Sequence, residues 1–197
     1  MGKIFCLMGK SGSGKDTVFR RLLKERGLGL KAVVTYTTRP RRQNERDGVE
    51  YYFITCDELN QFRDQGRIIE IRRYDTVQGA WYYCTVDDGQ IDLDSGNYLM
   101  IVTLEAFNSL KRYFGAEKVV PLYLFVDDGE RLTRAIAREK RQPGPDYSEL
   151  CRRFLADAAD FEDQKLAAAG IHQSYANDNL DDCADKICRA IAEDIAH

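Results

Sequence analysis

The sequence has few of the residues that build metal centres and none of the long apolar runs that cross membranes. Only two histidines occur in 197 residues, and the six cysteines form no Cys-x-x-Cys pair, which argues against a zinc site. No apolar run approaches the roughly 20 residues of a membrane span. The apolar stretch at residues 3–8 ends at glycines and is too short for the core of a signal peptide. We therefore expect no membrane partner.

The chain also lacks a strong charge of either sign. Its 29 Lys and Arg residues stand against 32 Asp and Glu residues, which gives a net charge of −3. That balance excludes general, charge-driven binding of nucleic acid by the whole surface, so no nucleic-acid partner is expected. A chain of this length folds as one domain, buries about 70% of its unfolded surface and needs no disulfides. The scattered cysteines are typical of reduced thiols and predict a cytoplasmic location.

Short apolar segments alternate with amphipathic ones along most of the chain. This alternation predicts an α/β fold with a mainly parallel sheet. A β-rich block at residues 32–85 interrupts the alternation, and it is predicted to be an inserted subdomain. The predicted strands are 3–8, 32–37, 50–54, 67–71, 81–86, 98–103, 119–126 and 172–176. The predicted helices are 16–26, 55–65, 106–114, 128–142, 147–169 and 181–196.

A glycine-rich segment joins the first predicted strand to the first predicted helix. It reads Gly9-Lys10-Ser11-Gly12-Ser13-Gly14-Lys15 and matches the phosphate-binding loop. Glycines let successive backbone N–H groups curl around a phosphate chain, and the helix N-terminus adds positive potential. Lys15 can reach the β- and γ-phosphates. An ordinary glycine-rich turn would not require this Gly-Lys pair between a strand and a helix.

Asp16 stands where the phosphate-loop motif has Ser or Thr. The usual hydroxyl ligates Mg²⁺. Asp16 could serve as a metal ligand directly or through a water molecule. It could equally be the first-turn acid that complements the dipole of the helix. Thr17 follows directly.

Four arginines lie within eight residues of the predicted inserted block, at Arg39, Arg41, Arg42 and Arg46. Guanidinium groups suit bidentate capture of a phosphate. The alternative is a solvated basic loop, as most charge runs are. Tyrosine hydroxyls at positions 51 and 83 can donate to the same phosphate and favour the first interpretation.

These segments, taken in order, resemble the guanylate kinase family over almost the whole chain. The resemblance rests on the phosphate loop with Asp16-Thr17, on Thr37-Thr38-Arg39-Pro40-Arg41-Arg42, on Gly48-Val49-Glu50-Tyr51-Tyr52-Phe53 and on Asn177-Asp178-Asn179-Leu180. It implies the three-layer α/β core of a P-loop kinase with a parallel sheet, a β-rich insertion that binds a monophosphate, and a helical lid. The implied bounds are 1–31, 86–127 and 153–197 for the core, 32–85 for the insertion and 128–152 for the lid.

The resemblance also implies an activity, namely transfer of the γ-phosphoryl group of ATP to GMP with Mg²⁺ as cofactor. ATP and GMP are then the small-molecule partners, and the oligomeric state stays open between monomer and homodimer. The implied ATP-binding residues are Gly9, Ser11, Gly12, Ser13, Gly14, Lys15, Asp16, Thr17 and Asn177. The implied GMP-binding residues are Thr35, Arg39, Arg42, Tyr51, Glu70, Tyr83, Thr85 and Thr103. The implied catalytic residues are Lys15 and Arg39, together with the lid arginines Arg138, Arg141 and Arg153.

Glu70 has a chemical reason to read the base. Guanine presents two adjacent donors, N1–H and N2–H₂, and one carboxylate can accept from both, whereas adenine offers no such pair. A carboxylate inside the apolar run Ile68-Ile69-Glu70-Ile71 is costly unless it is paired. The alternative is that Glu70 faces outward from its strand.

One segment departs from the family. Where the family has Asp-x-Asp-x-x-Gly, residues 101–106 supply neither aspartate nor the glycine. Thr103 stands where an acid is expected, and Glu105 is a neighbouring acid that could compensate. Two alternative functions therefore stay open. One is a related kinase for another phosphorylated acceptor, and the other is a non-catalytic module that binds a phosphorylated peptide.

Overall fold

The molecule contains two sheets that divide the strands between them. The computed structural model describes residues 1–42, 45–76 and 79–196. The strands are β1 Ile4–Met8, β2 Leu30–Ala32, β3 Tyr36–Thr37, β4 Tyr52–Phe53, β5 Ile68–Thr76, β6 Gly79–Val86, β7 Asn97–Ile101, β8 Val119–Phe125 and β9 Ser174–Ala176. The helices are α1 Lys15–Leu22, α2 Cys56–Asp64, α3 Leu104–Phe114, α4 Asp128–Glu139, α5 Tyr147–Asp160, α6 Asp163–Ala168 and α7 Leu180–Ala196.

The larger sheet has the order β2-β7-β1-β8-β9, and all of its pairings are parallel. Its central strand β1 is buried at every residue, because helices cover both faces. Phe5 and Leu7 pack with residues of α1 and α7, whereas Ile4, Cys6 and Met8 pack with residues of α3 and α6. Alternate residues of β1 thus contribute to two apolar layers, one on each face of the sheet. The predicted three-layer α/β fold is confirmed.

The second sheet has the order β4-β3-β6-β5 and comes from the predicted β-rich block. Its main feature is the antiparallel hairpin of β5 and β6, which extends beyond the predicted strands at its turn end. The single strand expected at 32–37 is wrong. Ala32 pairs with Leu99 in the larger sheet, and Tyr36 pairs with Cys84 in the smaller one. The chain crosses between the two sheets over this segment.

The single helix expected at 147–169 is also wrong. The chain forms α5 and α6, and the break falls at Phe161, whose backbone leaves the helical region at φ −112° and ψ 40°. The Phe161 ring is buried and stacks on Tyr123 with 5.6 Å between the ring centroids. This aromatic contact with β8 lies where helical periodicity alone would have continued the helix. No described helix is long and apolar enough to cross a bilayer.

The packing of α7 on the sheet generates a stability prediction. Ile187 is fully buried against β1 and α1, whereas Ile195 in the last turn of the same helix is exposed. Truncating a buried isoleucine removes apolar contacts and leaves a cavity. We expect Ile187→Ala to lower the free energy of unfolding by about 2–5 kcal/mol. Urea denaturation measures this change, and Ile195→Ala is the matched control. Equal losses for the two variants would contradict the packing described here.

Candidate nucleotide-binding site

Residues 9–14 form the turn that joins the central strand β1 to α1. Gly12 and Gly14 have φ values of +82° and +87°, which favour glycine. A Cβ atom at Gly14 would also lie 2.5 Å from the side-chain nitrogen of Asn177. Position 14 therefore excludes a side chain on both conformational and steric grounds.

The Lys15 side chain folds back over this loop. Its Nζ donates to the carbonyl oxygens of Gly9 at 2.6 Å and Lys10 at 3.1 Å. Burial lowers the pKa of Lys15, and the Asp157 carboxylate opposes that effect. The ammonium group is thus held beside the loop, where a phosphate chain would lie if the loop binds one.

Asn177 braces the loop from behind. Its Nδ2 donates to the Ser13 carbonyl at 2.7 Å, and both groups are buried. The backbone carbonyl of Asn177 accepts from the guanidinium of Arg134 at 3.4 Å. The residue that follows β9 thereby links the loop to α4. The expected contact of Asn177 with adenine stays a prediction.

Ser11 is held from both sides by a pair of charged residues that sequence analysis missed. Its N–H donates to Asp157 Oδ2 at 2.6 Å, and its carbonyl accepts from Arg131 Nη1 at 2.9 Å. Arg131 is buried, pairs with Asp128 at 2.8 Å and lies 4.6 Å from the centroid of the Phe154 ring. The loop is thereby joined to α4 and α5.

The place of Arg131 on α4 becomes informative once the buried face of the helix is known. The buried residues of α4 are Arg131, Ala135 and Glu139, which are spaced four apart and so share one helix face. An arginine at an inward position of this face indicates a buried partner. Asp157 carries no comparable signal, because it lies on a different helix and its partners, Ser11 and Arg131, are distant in the sequence.

The loop opens on a cleft of about 370 Å³. The lining residues are Ser11, Gly12, Gly14, Lys15, Asp16, Thr17, Arg20, Arg134, Arg138 and Arg153. Two of the predicted catalytic arginines, Arg138 and Arg153, are brought there. Arg141 is exposed beyond the end of α4 and is not among the lining residues. Arg20 and Arg134 add cationic side chains that sequence analysis did not single out.

Arg39 is buried in the smaller sheet with its guanidinium already paired. It forms a two-bond pair with Glu45 at 2.8 and 3.0 Å, and its Nε donates to the Tyr83 hydroxyl at 3.1 Å. Burial works against its charge, but Glu45 and Tyr83 outweigh that effect and raise the pKa of Arg39. The rings of Tyr51 and Tyr83 meet edge to face at 5.6 Å. The structure thus groups Arg39, Tyr51 and Tyr83.

Arg42 and Thr35 flank this group less closely. The Arg42 amide donates to Glu45 at 2.8 Å, and its side chain is exposed. The carbonyl of Thr35 accepts from the amide of Tyr52 at 2.9 Å, just before β3 begins.

Glu70 is buried rather than facing outward. It accepts a hydrogen bond from Thr85 Oγ1 at 2.9 Å and forms a salt bridge with Arg72 at 2.9 Å. Arg72 Nη1 also lies 3.4 Å from Thr103 Oγ1. Thr103 caps α3 by accepting from the amide of Ala106. Predicted residues 70 and 103 therefore both contact an arginine that sequence analysis missed, and residue 85 contacts Glu70.

No group of three or more described His, Cys, Asp or Glu residues could hold a metal ion. Asp16 and Thr17 are exposed in the first turn of α1 and line the cleft. Their oxygen atoms suit Mg²⁺, which takes one or two protein oxygen ligands and completes its shell with water and phosphate oxygens. Glu105 is exposed in the first turn of α3.

A glycine-rich loop with its lysine follows the central parallel strand, and four arginines line the cleft beside it. These features define a P-loop phosphotransferase fold. The family model for guanylate kinase matches residues 1–143. The chain belongs to the guanylate kinase family.

Individual relatives agree with this family assignment. The chain is 28% identical to a guanylate kinase of Porphyromonas gingivalis over all of both chains. It is 29% identical to one of Brucella melitensis over 83% of this chain and 71% of that protein. The crystal structure of guanylate kinase from Anaplasma phagocytophilum superposes with a TM-score of 0.66 at 21% identity. That match covers 98% of this chain and 85% of the other, and it shows the shared fold.

The contacts of Ser11 generate a second prediction. Asp157→Ala removes the acceptor of the Ser11 amide and leaves the buried Arg131 with one carboxylate fewer. We expect a loss of about 1–3 kcal/mol in the free energy of unfolding. Asp160→Ala, an exposed carboxylate on the same helix, is the control. Urea titration of both variants measures the difference, and a loss no larger than that of the control would refute the structural role of Asp157.

Proposed function

We propose that this protein transfers the γ-phosphoryl group of ATP to GMP, producing ADP and GDP. The observation that carries the proposal is the phosphate loop with Lys15 at a cleft lined by four arginines, in a chain of the guanylate kinase family. Phosphoryl transfer passes through a loose transition state whose charge is spread over the phosphoryl oxygens. Catalysis therefore requires positioned cations and amides more than it requires a strong base.

The donor nucleotide binds along the loop in this proposal. Backbone amides of residues 9–17 and the Lys15 ammonium hold the ATP phosphates. Arg138 and Arg153, from the helices α4 and α5, stabilise the charge of the group in transfer, and Arg141 reaches it only if these helices move. Asn177 orients the loop and lies on the adenine side.

The acceptor binds against the smaller sheet. Arg39, Arg42, Tyr51 and Tyr83 hold the GMP phosphate, because guanidinium forks and phenol hydroxyls all donate hydrogen bonds to it. Residues around the base supply hydroxyl and carboxylate groups, namely Thr35, Glu70, Thr85 and Thr103. Lys15 and Arg39 then act from the two sides of the phosphoryl group.

Mg²⁺ is the metal that this donor set fits. Asp16, directly or through a water molecule, and the adjacent Thr17 would hold it beside the ATP phosphates. When bound, the ion neutralises charge on the phosphate oxygens. We also propose a role in purine nucleotide metabolism in the cytoplasm, as a monomer or a homodimer.

A related kinase for another phosphorylated acceptor is the second candidate function. It is favoured by the ion pair between Arg72 and Glu70 and by Thr103, which stands where the family has an acid. The intact Lys15 argues against a purely phosphopeptide-binding module. ADP release with ATP and Mg²⁺, measured across GMP, dGMP, AMP, UMP and CMP, decides between these functions. Turnover with GMP alone supports the proposal, and ATP binding without turnover on any of the five favours another acceptor.

Lys15 provides the test of the donor site. Removing its ammonium deletes a cation beside the transferring phosphates, and we expect Lys15→Ala to lower kcat by about a hundredfold or more. The control is Lys24→Ala, since Lys24 is exposed beyond α1 and does not line the cleft. Steady-state ADP release measures both. A near-normal kcat for Lys15→Ala would mean that the loop is not catalytic.

Arg42 provides the test of the acceptor site. Its side chain is exposed, so its removal should not disturb the fold. We expect Arg42→Ala to raise the KM for GMP by about tenfold, the equivalent of one charged hydrogen bond. Arg41→Ala is the matched control in the same loop. If both variants raise KM equally, the loop acts through its general charge rather than through a specific phosphate contact.

A further inference from the structure

Arg72 and Glu70 lie two residues apart on β5, so both side chains leave the same face of the strand. The guanidinium meets the carboxylate edge on. Arg72 Nε donates to Glu70 Oε2 at 2.9 Å, and Nη2 donates to Oε1 at 3.3 Å. The carboxylate therefore receives two roughly parallel N–H groups from one planar cation.

The hydrogen-bonding capacity of Glu70 is nearly filled by these contacts. A carboxylate offers about four acceptor positions, two on each oxygen. Oε1 accepts from Arg72 and from Thr85 Oγ1, and Oε2 accepts from Arg72. The described residues thus occupy three positions and leave one, on Oε2. A base that offers a single N–H can be accepted as the side chains stand, whereas a base that offers two adjacent donors needs one of these contacts to break.

Arg72 also contacts Thr103 and Tyr83. Its Nη1 lies 3.4 Å from Thr103 Oγ1, and its guanidinium lies 6.0 Å from the centroid of the Tyr83 ring. Burial works against its charge, but Glu70 outweighs that effect and raises the pKa of Arg72. Arg72 therefore stays charged and competes with an incoming base for Glu70.

The single free acceptor position on Glu70 affects guanine and hypoxanthine differently. N1–H and N2–H₂ of guanine belong to a guanidine-like unit and offer the same donor pair as Arg72. Hypoxanthine keeps N1–H and lacks the 2-amino group. We propose that Arg72 is a specificity-determining residue that occupies the Glu70 edge needed by guanine, so that this kinase discriminates weakly between GMP and inosine monophosphate. This inference rests on the proposed function, since it names the acceptors of the same site.

The test compares kcat/KM for GMP with that for inosine monophosphate in the wild type, Arg72→Ala and Arg73→Ala. Arg73 is the next residue on β5, is exposed and pairs with Asp75, so it is a matched control. We expect the wild type to prefer GMP by less than about tenfold. In Arg72→Ala the preference should rise by about tenfold, mainly through a lower KM for GMP, because Glu70 regains the two acceptor positions that Arg72 fills. Arg73→Ala should keep the wild-type ratio.

A ratio that is unchanged or falls in Arg72→Ala overturns the inference, because Arg72 then supports guanine binding or does not affect it. Arg72→Lys serves if the alanine variant does not fold. A lysine retains the cation but cannot present the two-donor fork, so it should raise the ratio by a smaller factor. A general loss of structure would lower both kcat/KM values without raising their ratio.

The outcome also separates this inference from the proposed function. Wild-type turnover of GMP with an unchanged ratio in Arg72→Ala rejects the role of Arg72 and leaves the kinase assignment standing. If the wild type phosphorylates neither nucleotide, the proposed function fails. The preference is then measured by calorimetry, as the ratio of the dissociation constants for GMP and inosine monophosphate. Binding of neither nucleotide rejects both proposals.

Discussion

The shape of the phosphate loop is maintained by hydrogen bonds within it and by side chains from distant parts of the chain, and the rest of the site depends on that shape. Within the loop, the Ser13 amide bonds to the Lys10 carbonyl at 3.2 Å. Lys15 adds its two bonds to the carbonyls of Gly9 and Lys10, and further support comes from outside. Asn177 holds the Ser13 carbonyl, and Arg131 with Asp157 holds the peptide groups of Ser11. These three side chains come from segments more than 100 residues away in sequence.

The contacts of Ser11 connect the loop to α4 and α5, which carry three of the four cleft arginines. Arg131 and Arg138 belong to α4, while Arg153 and Asp157 belong to α5. A movement of these helices toward a bound nucleotide would therefore pull on Ser11 as well. The loop and the cationic wall of the cleft are thus joined by direct hydrogen bonds, which suits a reaction that depends on positioning.

In the smaller sheet, the guanidinium groups of Arg39 and Arg72 are already paired with carboxylates. Arg39 binds Glu45, and Arg72 binds Glu70, each through two contacts. Burying an unpaired charge is costly, and these pairs supply each guanidinium with a counter-charge in the absence of ligand. If GMP binds here as proposed, its phosphate and base have to share or displace an existing partner. Selectivity at this site then depends on the competition as well as on the residues that touch the substrate.

Local patterns in the sequence determined the order of strands and helices, the parallel sheet and the phosphate loop. Apolar periodicity and glycine spacing are properties of neighbouring residues, and both were readable without the fold. Glu70 was expected to need a partner because it lies within an apolar run, but the sequence did not indicate which residue that partner would be. The crossing between sheets at residues 32–37 and the helix break at Phe161 were missed, since both depend on distant partners, Leu99 and Tyr123. Only the tertiary structure decided that Arg72 fills the edge of Glu70 and that Asp157 holds Ser11. Hydrogen bonds between charged groups depend on a few tenths of an ångström, and only the packing of the whole chain sets distances of that size.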